Sequence, residues 1–345
     1  MKRTVSGATD SSGGSNRDGC YPVAAQRTAH GLPAGPGRYA DPVTLCPDVQ
    51  HSTVGDVDLA YNTMGAGDDP PVVLVAGLGA QLIMWDDGFC RELVDRGLYV
   101  VRFDNRDVGL SSHLGDGPTV DALTAGDGAP AYGLADMAAD TASLIENLGL
   151  GSAHIVGASL GGMIAQVLAI EHPERVRSLT SIMSTTGDAQ VGQASEAAFA
   201  MLFLPPVASR EEAMDRAILI NRTVGSPAYP TDAPELRERA AAAFDRAFDP
   251  AGVARQLAAA HAAADRTDAL RRREVAALVI HGADDPLIAV SGGVATAEAI
   301  PDAELVVIDG MGHDLPRSLW STIAGRIADL VERAEQESTT KMSAR

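Results

Sequence analysis

A short apolar run, His154-Ile155-Val156, leads directly into Gly157-Ala158-Ser159-Leu160-Gly161-Gly162. A segment with helical character follows, Met163 to about Glu171, and then Pro173. No other feature constrains the fold as tightly. A buried strand that turns at once into a helix is half of a strand–helix–strand crossover, and such crossovers build parallel sheets. The turn also fits G-x-S-x-G, a weak pattern alone but a specific one between a strand and a helix. So sharp a turn strains the serine backbone and exposes its Oγ, while the small flanking residues let strand and helix approach closely.

The rest of the chain repeats the alternation. Val54 to Thr63 suits a hairpin around Gly55-Asp56. Buried strands are expected at 71–75, running into Ala76-Gly77-Leu78-Gly79, at 99–103, 179–183, 276–281 and 304–308. Leu134, Met137, Ala138, Thr141, Ile145 and Leu148 recur at helical spacing, and a last helix is expected from about Leu319 to Ala334. This pattern predicts an α/β protein with a mostly parallel central sheet and helices on both faces. Residues 187–273 interrupt it, reading as helix after helix without a strand. Ser209-x-x-Glu212 and Asp232-x-x-Glu235 resemble capping boxes, and Asp249-Pro250 a cap followed by proline at the first helical position. The block is expected to be a helical cap inserted into the sheet domain. The organisation is then a disordered leader over 1–48, rich in Gly, Ser, Pro and Asp; a core over 49–186 and 274–336; a cap over 187–273; and a flexible tail over 337–345.

With 46% hydrophobic and 21% charged residues, the chain can bury a large core. The net charge is −19, and Lys2 and Lys341 are its only lysines. A surface this acidic repels nucleic acid and anionic lipid, so neither is expected as a partner. Cys20, Cys46 and Cys90 show no C-x-x-C spacing, which argues against a disulfide framework and a zinc site. No apolar run of membrane-spanning length occurs. The opening Met-Lys-Arg is followed by polar residues instead of an apolar core, so no secretory signal is expected and the cytoplasm is the expected location.

A serine hydroxyl needs a base to take its proton. Of eight histidines, His313 follows the last expected strand in Gly310-Met311-Gly312-His313-Asp314. A loop at the carboxyl end of a strand is where an open α/β sheet assembles its site. His30 and His51 precede the sheet, and His113 comes too early in the chain for the usual order. His154 and His281 lie within strands, while His172 and His261 belong to helices. The loop after the strand at 276–281 offers two carboxylates, Asp284 and Asp285. For a developing oxyanion, the expected donors are the backbone N–H groups of Leu160, at the start of the helix after Ser159, and Leu78, in the loop after the first central strand. Neither a G-x-G-x-x-G fingerprint after the first strand nor a G-x-x-x-x-G-K loop occurs; no cofactor and no metal are expected.

From Val72 to about Ile327 the chain resembles the α/β-hydrolase superfamily, and within it the aclacinomycin methylesterase group of actinobacterial esterases. The resemblance rests on Gly77-Leu78-Gly79-Ala80-Gln81 with Trp85, on Arg102-Phe103-Asp104-Asn105-Arg106-Asp107-Val108-Gly109-Leu110-Ser111, on Ser181 to Gly187, on Arg255-Gln256-Leu257 and on Gly310 to Pro316. Ala76 departs from it, standing where many relatives carry histidine. The resemblance implies the α/β-hydrolase fold with a helical cap, and cofactor-free hydrolysis of a carboxylic ester by Ser159, Asp285 and His313 in that chain order. Its H-G-x-x-D spacing selects Asp285 over Asp284. A small-molecule ester is the implied substrate, by analogy a methyl ester or lactone of an apolar natural product. Trp85, Met201, Leu202 and Phe203 are expected to line the acyl pocket. Asp104 and Arg106 are expected to form a buried ion pair bracing the loop beside the site. Two other chemistries fit the same three residues: perhydrolysis or cofactor-free haloperoxidation, and acyl transfer. A ligand receptor without turnover is the reading from a different class.

Overall fold

The computed structural model describes residues 48–343 apart from 116, 119–121 and 124–128. The expected leader lies outside these residues, except for Asp48. The hairpin forms as expected, β1 (Gln50–Val54) turning through Gly55-Asp56 into β2 (Val57–Met64), with Val54 paired to Val57. Next come β3 (Pro71–Val75), α1 (Asp87–Val94), β4 (Tyr99–Phe103), α2 (Leu134–Asn147), β5 (Ala153–Ala158), α3 (Leu160–Glu171) and β6 (Val176–Ile182). The expected helical block consists of α4 (Glu196–Met201), α5 (Arg210–Val224), α6 (Ala233–Arg246), α7 (Pro250–His261) and α8 (Thr267–Leu270). The chain closes with β7 (Ala276–Gly282), α9 (Val290–Ala299), β8 (Glu304–Ile308) and α10 (Trp320–Ser343). The last helix therefore continues through most of the stretch expected to be a flexible tail.

The eight strands form one sheet in the order β1-β2-β4-β3-β5-β6-β7-β8. Pairing is antiparallel where β2 meets β1 and β4, and parallel elsewhere. Alternating side chains divide each central strand between two cores. Val73 and Val75 of β3 pack on one side with Ile155, Leu144 and Ile164, under α2 and α3. Val72 and Leu74 pack on the other with Val156, Phe89 and Ile323, under α1 and α10. β3 and β5 are buried along their whole length, which explains their unbroken apolar sequences. Chain order reverses between β4 and β5 around β3, and ligands bind beyond the carboxyl ends of strands at such a switch point.

Two of the three expected caps form. Ser209 Oγ accepts the Glu212 N–H, and an Asp249 carboxylate oxygen accepts the Ala251 N–H ahead of Pro250. Asp232 makes no side-chain cap. Its expected partner Glu235 is drawn away by two guanidinium groups, those of Arg239 and Arg317, each 2.7 Å distant. No helix among the described residues is long and apolar enough to cross a membrane.

Candidate active site

Ser159 is the hinge between β5 and α3, with φ 56° and ψ −120°. An L-residue there costs on the order of 1–3 kcal/mol. Hydrogen bonds hold it in place: its N–H donates to Ile182 O (2.9 Å), and its carbonyl accepts from Ser184 Oγ (2.8 Å) and the Gly162 N–H (2.9 Å). The glycines are required by contact. A Cβ on Gly161 would lie 2.8 Å from Ala76 O and closer still to the Val75 carbonyl, and one on Gly157 would collide with Gly161. Of the three other non-glycine residues with positive φ among the described residues, Asp107 and Met183 also border the cavity above Ser159, while Asp302 lies in the turn before β8.

The three residues singled out from sequence meet here. Ser159 Oγ lies 2.9 Å from His313 Nε2, and His313 Nδ1 lies 2.7 Å from Asp285 Oδ2. A carboxylate facing Nδ1 makes that nitrogen the donor and leaves Nε2 to accept the serine proton. The other oxygen of Asp285 accepts the N–H groups of Leu287 and Ile288, both at 2.9 Å. Burial pushes the Asp285 carboxyl upward, but the neighbouring His281 and His313 outweigh burial and hold it well below the ordinary carboxylate range. His281, fully buried, donates Nε2–H to Ile288 O (2.8 Å) and lies 3.5 Å from Asp285 Oδ2. Asp284 is exposed. His313 is itself tied down by its N–H, which donates to Val224 O of α5 (2.6 Å).

The Leu78 and Leu160 N–H groups donate to no protein acceptor among the described residues, and both residues border Ser159: Leu160 follows it in the chain, and Leu78 lines the same cavity. The Leu78 loop is braced from the helical block. Gln256 of α7, fully buried, accepts the Gly79 N–H (2.9 Å) and donates to Arg106 O (2.7 Å). In the sequence Gln256 stands out only within the segment Arg255-Gln256-Leu257 that carries the family resemblance. Its bracing role joins residues far apart in the chain and carries no local signature.

The expected Asp104–Arg106 pair does not form. Asp104 turns inward, accepts the Leu82 and Leu110 N–H groups (2.6 and 2.9 Å), and pairs with Arg246 of α6 at 2.7 Å. Arg106 turns to the opposite side and grips Asp140 of α2 with two bonds, 2.6 and 2.7 Å. Asp107 is held by Arg255 of α7 (2.7 and 2.9 Å), which also reaches Asp249 (3.2 Å). Loop residues project in different directions, so each charge of this segment finds a partner on a different helix.

A cavity of about 680 Å³ lies over Ser159 and His313, between the strand ends and the helices α5 to α7. Its wall is mostly apolar and includes three of the expected pocket residues, Trp85, Met201 and Leu202. Phe203 is not on this wall. It packs against Phe199 at a ring-centroid distance of 5.0 Å, because α4 ends at Met201 and successive residues of the following turn face different ways.

Residues 70–316 match the family model described as the alpha/beta hydrolase fold. The rhodomycin D methylesterase of Streptomyces peucetius is 30% identical over 296 residues, covering 80% of this chain and 95% of that protein. The 3-oxoadipate enol-lactonase 2 of Acinetobacter baylyi is 29% identical over 259 residues, covering 74% and 87%. The crystal structure of an enol-lactonase from Burkholderia xenovorans superimposes with a TM-score of 0.65 at 22% identity, over 82% of this chain and 100% of that one, a likeness of fold. With its sheet order, its strained serine between strand and helix, and this match, the chain belongs to the alpha/beta-hydrolase fold family.

Proposed function

We propose that the protein hydrolyses a carboxylic ester through an acyl-enzyme on Ser159. The single observation that carries this reading is the unbroken hydrogen-bond chain Ser159–His313–Asp285 beneath an apolar cavity. His313 Nε2 takes the proton of Ser159 Oγ as Oγ attacks the ester carbonyl. The resulting oxyanion accepts the Leu78 and Leu160 N–H groups, the second reinforced by the positive end of α3. His313, now imidazolium and stabilised by Asp285, returns the proton to the leaving alcohol. Water then enters, His313 deprotonates it, and the acid departs with Ser159 regenerated. The helical block supplies much of the wall of the substrate cavity and none of the three reacting side chains, so it acts as a cap that selects the substrate. Relatives named as a methylesterase and an enol-lactonase support a methyl ester or lactone, and the mostly apolar cavity wall supports a largely apolar molecule.

The test uses short p-nitrophenyl esters together with a fluorophosphonate probe. The parent protein should turn over the esters without peroxide and be labelled, whereas Ser159→Ala should lose roughly 10⁴-fold or more in rate and all labelling. Labelling that survives the substitution refutes the nucleophile. A strict need for peroxide refutes simple hydrolysis, and labelling without turnover of any ester or lactone points to a receptor.

A further inference from the structure

Four aspartates and two arginines line the cavity. Most of these charges are compensated. Asp107 and Asp249 share Arg255, and Asp86 lies 3.4 Å from both Arg239 and Arg317. Arg239 is paired in turn with Glu235 at 2.7 Å. Arg216 of α5 is different. Among the described residues its one hydrogen bond goes from Nη2 to Pro205 O (3.0 Å), which orients the guanidinium without neutralising it, and it makes no ion pair. The nearby carboxylates are committed elsewhere. Glu212, one turn earlier, accepts the Ala208 N–H (2.7 Å), and Asp215 is bound by Arg237. Arg216 is only partly buried and stands on the same cavity wall as Ala213, Ala217, Ile220 and Val224, the helical spacing of a single face.

Helix α5 measures distance along this wall. Its last residue, Val224, holds the His313 backbone. At 1.5 Å per residue, Arg216 lies about 12 Å back along the axis. The charges next to His313 are of the opposite sign. Asp314 borders the cavity there and is held by the neutral donors Ser226 and Asn221. The cavity thus has a carboxylate beside His313, a mostly apolar wall, and on α5, about two helical turns from the Val224–His313 contact, an arginine without an ion pair.

Resting on the hydrolase reading above, we infer that Arg216 is a specificity-determining residue that binds a carboxylate or similarly acidic group on the substrate, on the order of 10 Å from the ester carbonyl. The substrate class is then an elongated ester or lactone with an apolar body and one remote anionic group. Asp314 disfavours the reversed orientation, in which that anion would sit beside Ser159. In a chain of net charge −19, which repels anions at long range, a local cation inside the cavity is what such a substrate needs.

Binding and turnover are tested separately. On the Ser159→Ala background, calorimetry compares monomethyl suberate with methyl octanoate, which match in length but differ in terminal charge. Adding Arg216→Met should lower the preference for the suberate by about tenfold to a hundredfold, the worth of a charge-assisted contact. Arg216→Glu should invert it, and added salt should erode it only where Arg216 is present. With Ser159 intact, the ratio of kcat/KM for p-nitrophenyl hydrogen suberate over p-nitrophenyl octanoate should fall by the same factor, mainly through KM. A suberate preference that survives Arg216→Met, the absence of any preference in the parent, or no binding of either ligand overturns the assignment. Absence of turnover and of fluorophosphonate labelling sinks the hydrolase reading instead, while the calorimetry still decides the role of Arg216.

Discussion

Replacing Asp285 by asparagine is the sharpest test of the proposed chemistry, because the structure dictates which way the new amide must face. One Asp285 oxygen accepts two backbone N–H groups, from Leu287 and Ile288, and the other accepts His313 Nδ1–H. An asparagine has a single acceptor oxygen. Facing its NH₂ toward the two backbone donors would leave both unsatisfied in a buried turn, at about 1–3 kcal/mol each. The amide oxygen therefore stays with the backbone and the NH₂ faces His313 Nδ1. That forces the tautomer protonated at Nε2, which donates to Ser159 instead of accepting from it. The base is lost with little change in shape, and no carboxylate remains to stabilise the imidazolium. The expected fall in kcat/KM is about 10⁴-fold, or about 5.5 kcal/mol of transition-state stabilisation. The assay is p-nitrophenyl ester hydrolysis on purified Asp285→Asn, with a melting curve to verify the fold. Asp284→Asn is the matched control. That side chain is exposed, and its change should stay within about twofold. A loss under tenfold at Asp285, or the larger loss at Asp284, would refute the reasoning.

Other expectations concern the scaffold. Gly161→Ala must push α3 away from the Val75 and Ala76 carbonyls, so it should cost about 3 kcal/mol and disturb the Leu160 donor, read as a lower melting temperature together with slower fluorophosphonate labelling. Gln256→Leu strands the Gly79 N–H and Arg106 O; it should lower kcat by about tenfold through a loosened Leu78 loop, and unchanged kinetics would show that the loop needs no brace. Burial of His154, opposed by its bond to Glu335, lowers its pKa from 6.5 to about 4. The unfolded chain therefore binds the proton first as pH falls. Stability from this group is complete above about pH 6.5 and declines toward pH 4 by roughly 3 kcal/mol. In urea titrations, His154→Gln should flatten that decline, and an unchanged slope would exclude His154 as its source.

Local patterning determined much of this protein. The strand–turn–helix around Ser159 was legible because the strained turn admits only small residues at Gly157 and Gly161, and the central strands because burial on both faces demands continuous apolar runs. Chain order along the sheet puts Ser159 and the acidic loop after β7 each at hydrogen-bond distance from His313. Helix α9 escaped notice: its sequence, Val-Ser-Gly-Gly-Val-Ala-Thr-Ala-Glu-Ala, has no marked amphipathic period and carries two glycines, and it forms by packing against β7 and β8. Tertiary structure alone decided how the charges pair. Asp104 found Arg246 rather than Arg106, and Asp107 found Arg255. Burial rewards whichever countercharge the fold brings near, and sequence proximity does not determine that. The same reason separates Phe203 from the cavity and leaves Arg216 on its wall without a carboxylate. A side chain's direction at the end of a short helix, and whether its neighbours' charges are already taken, are set by the packing of helices whose contacts lie far apart in the chain.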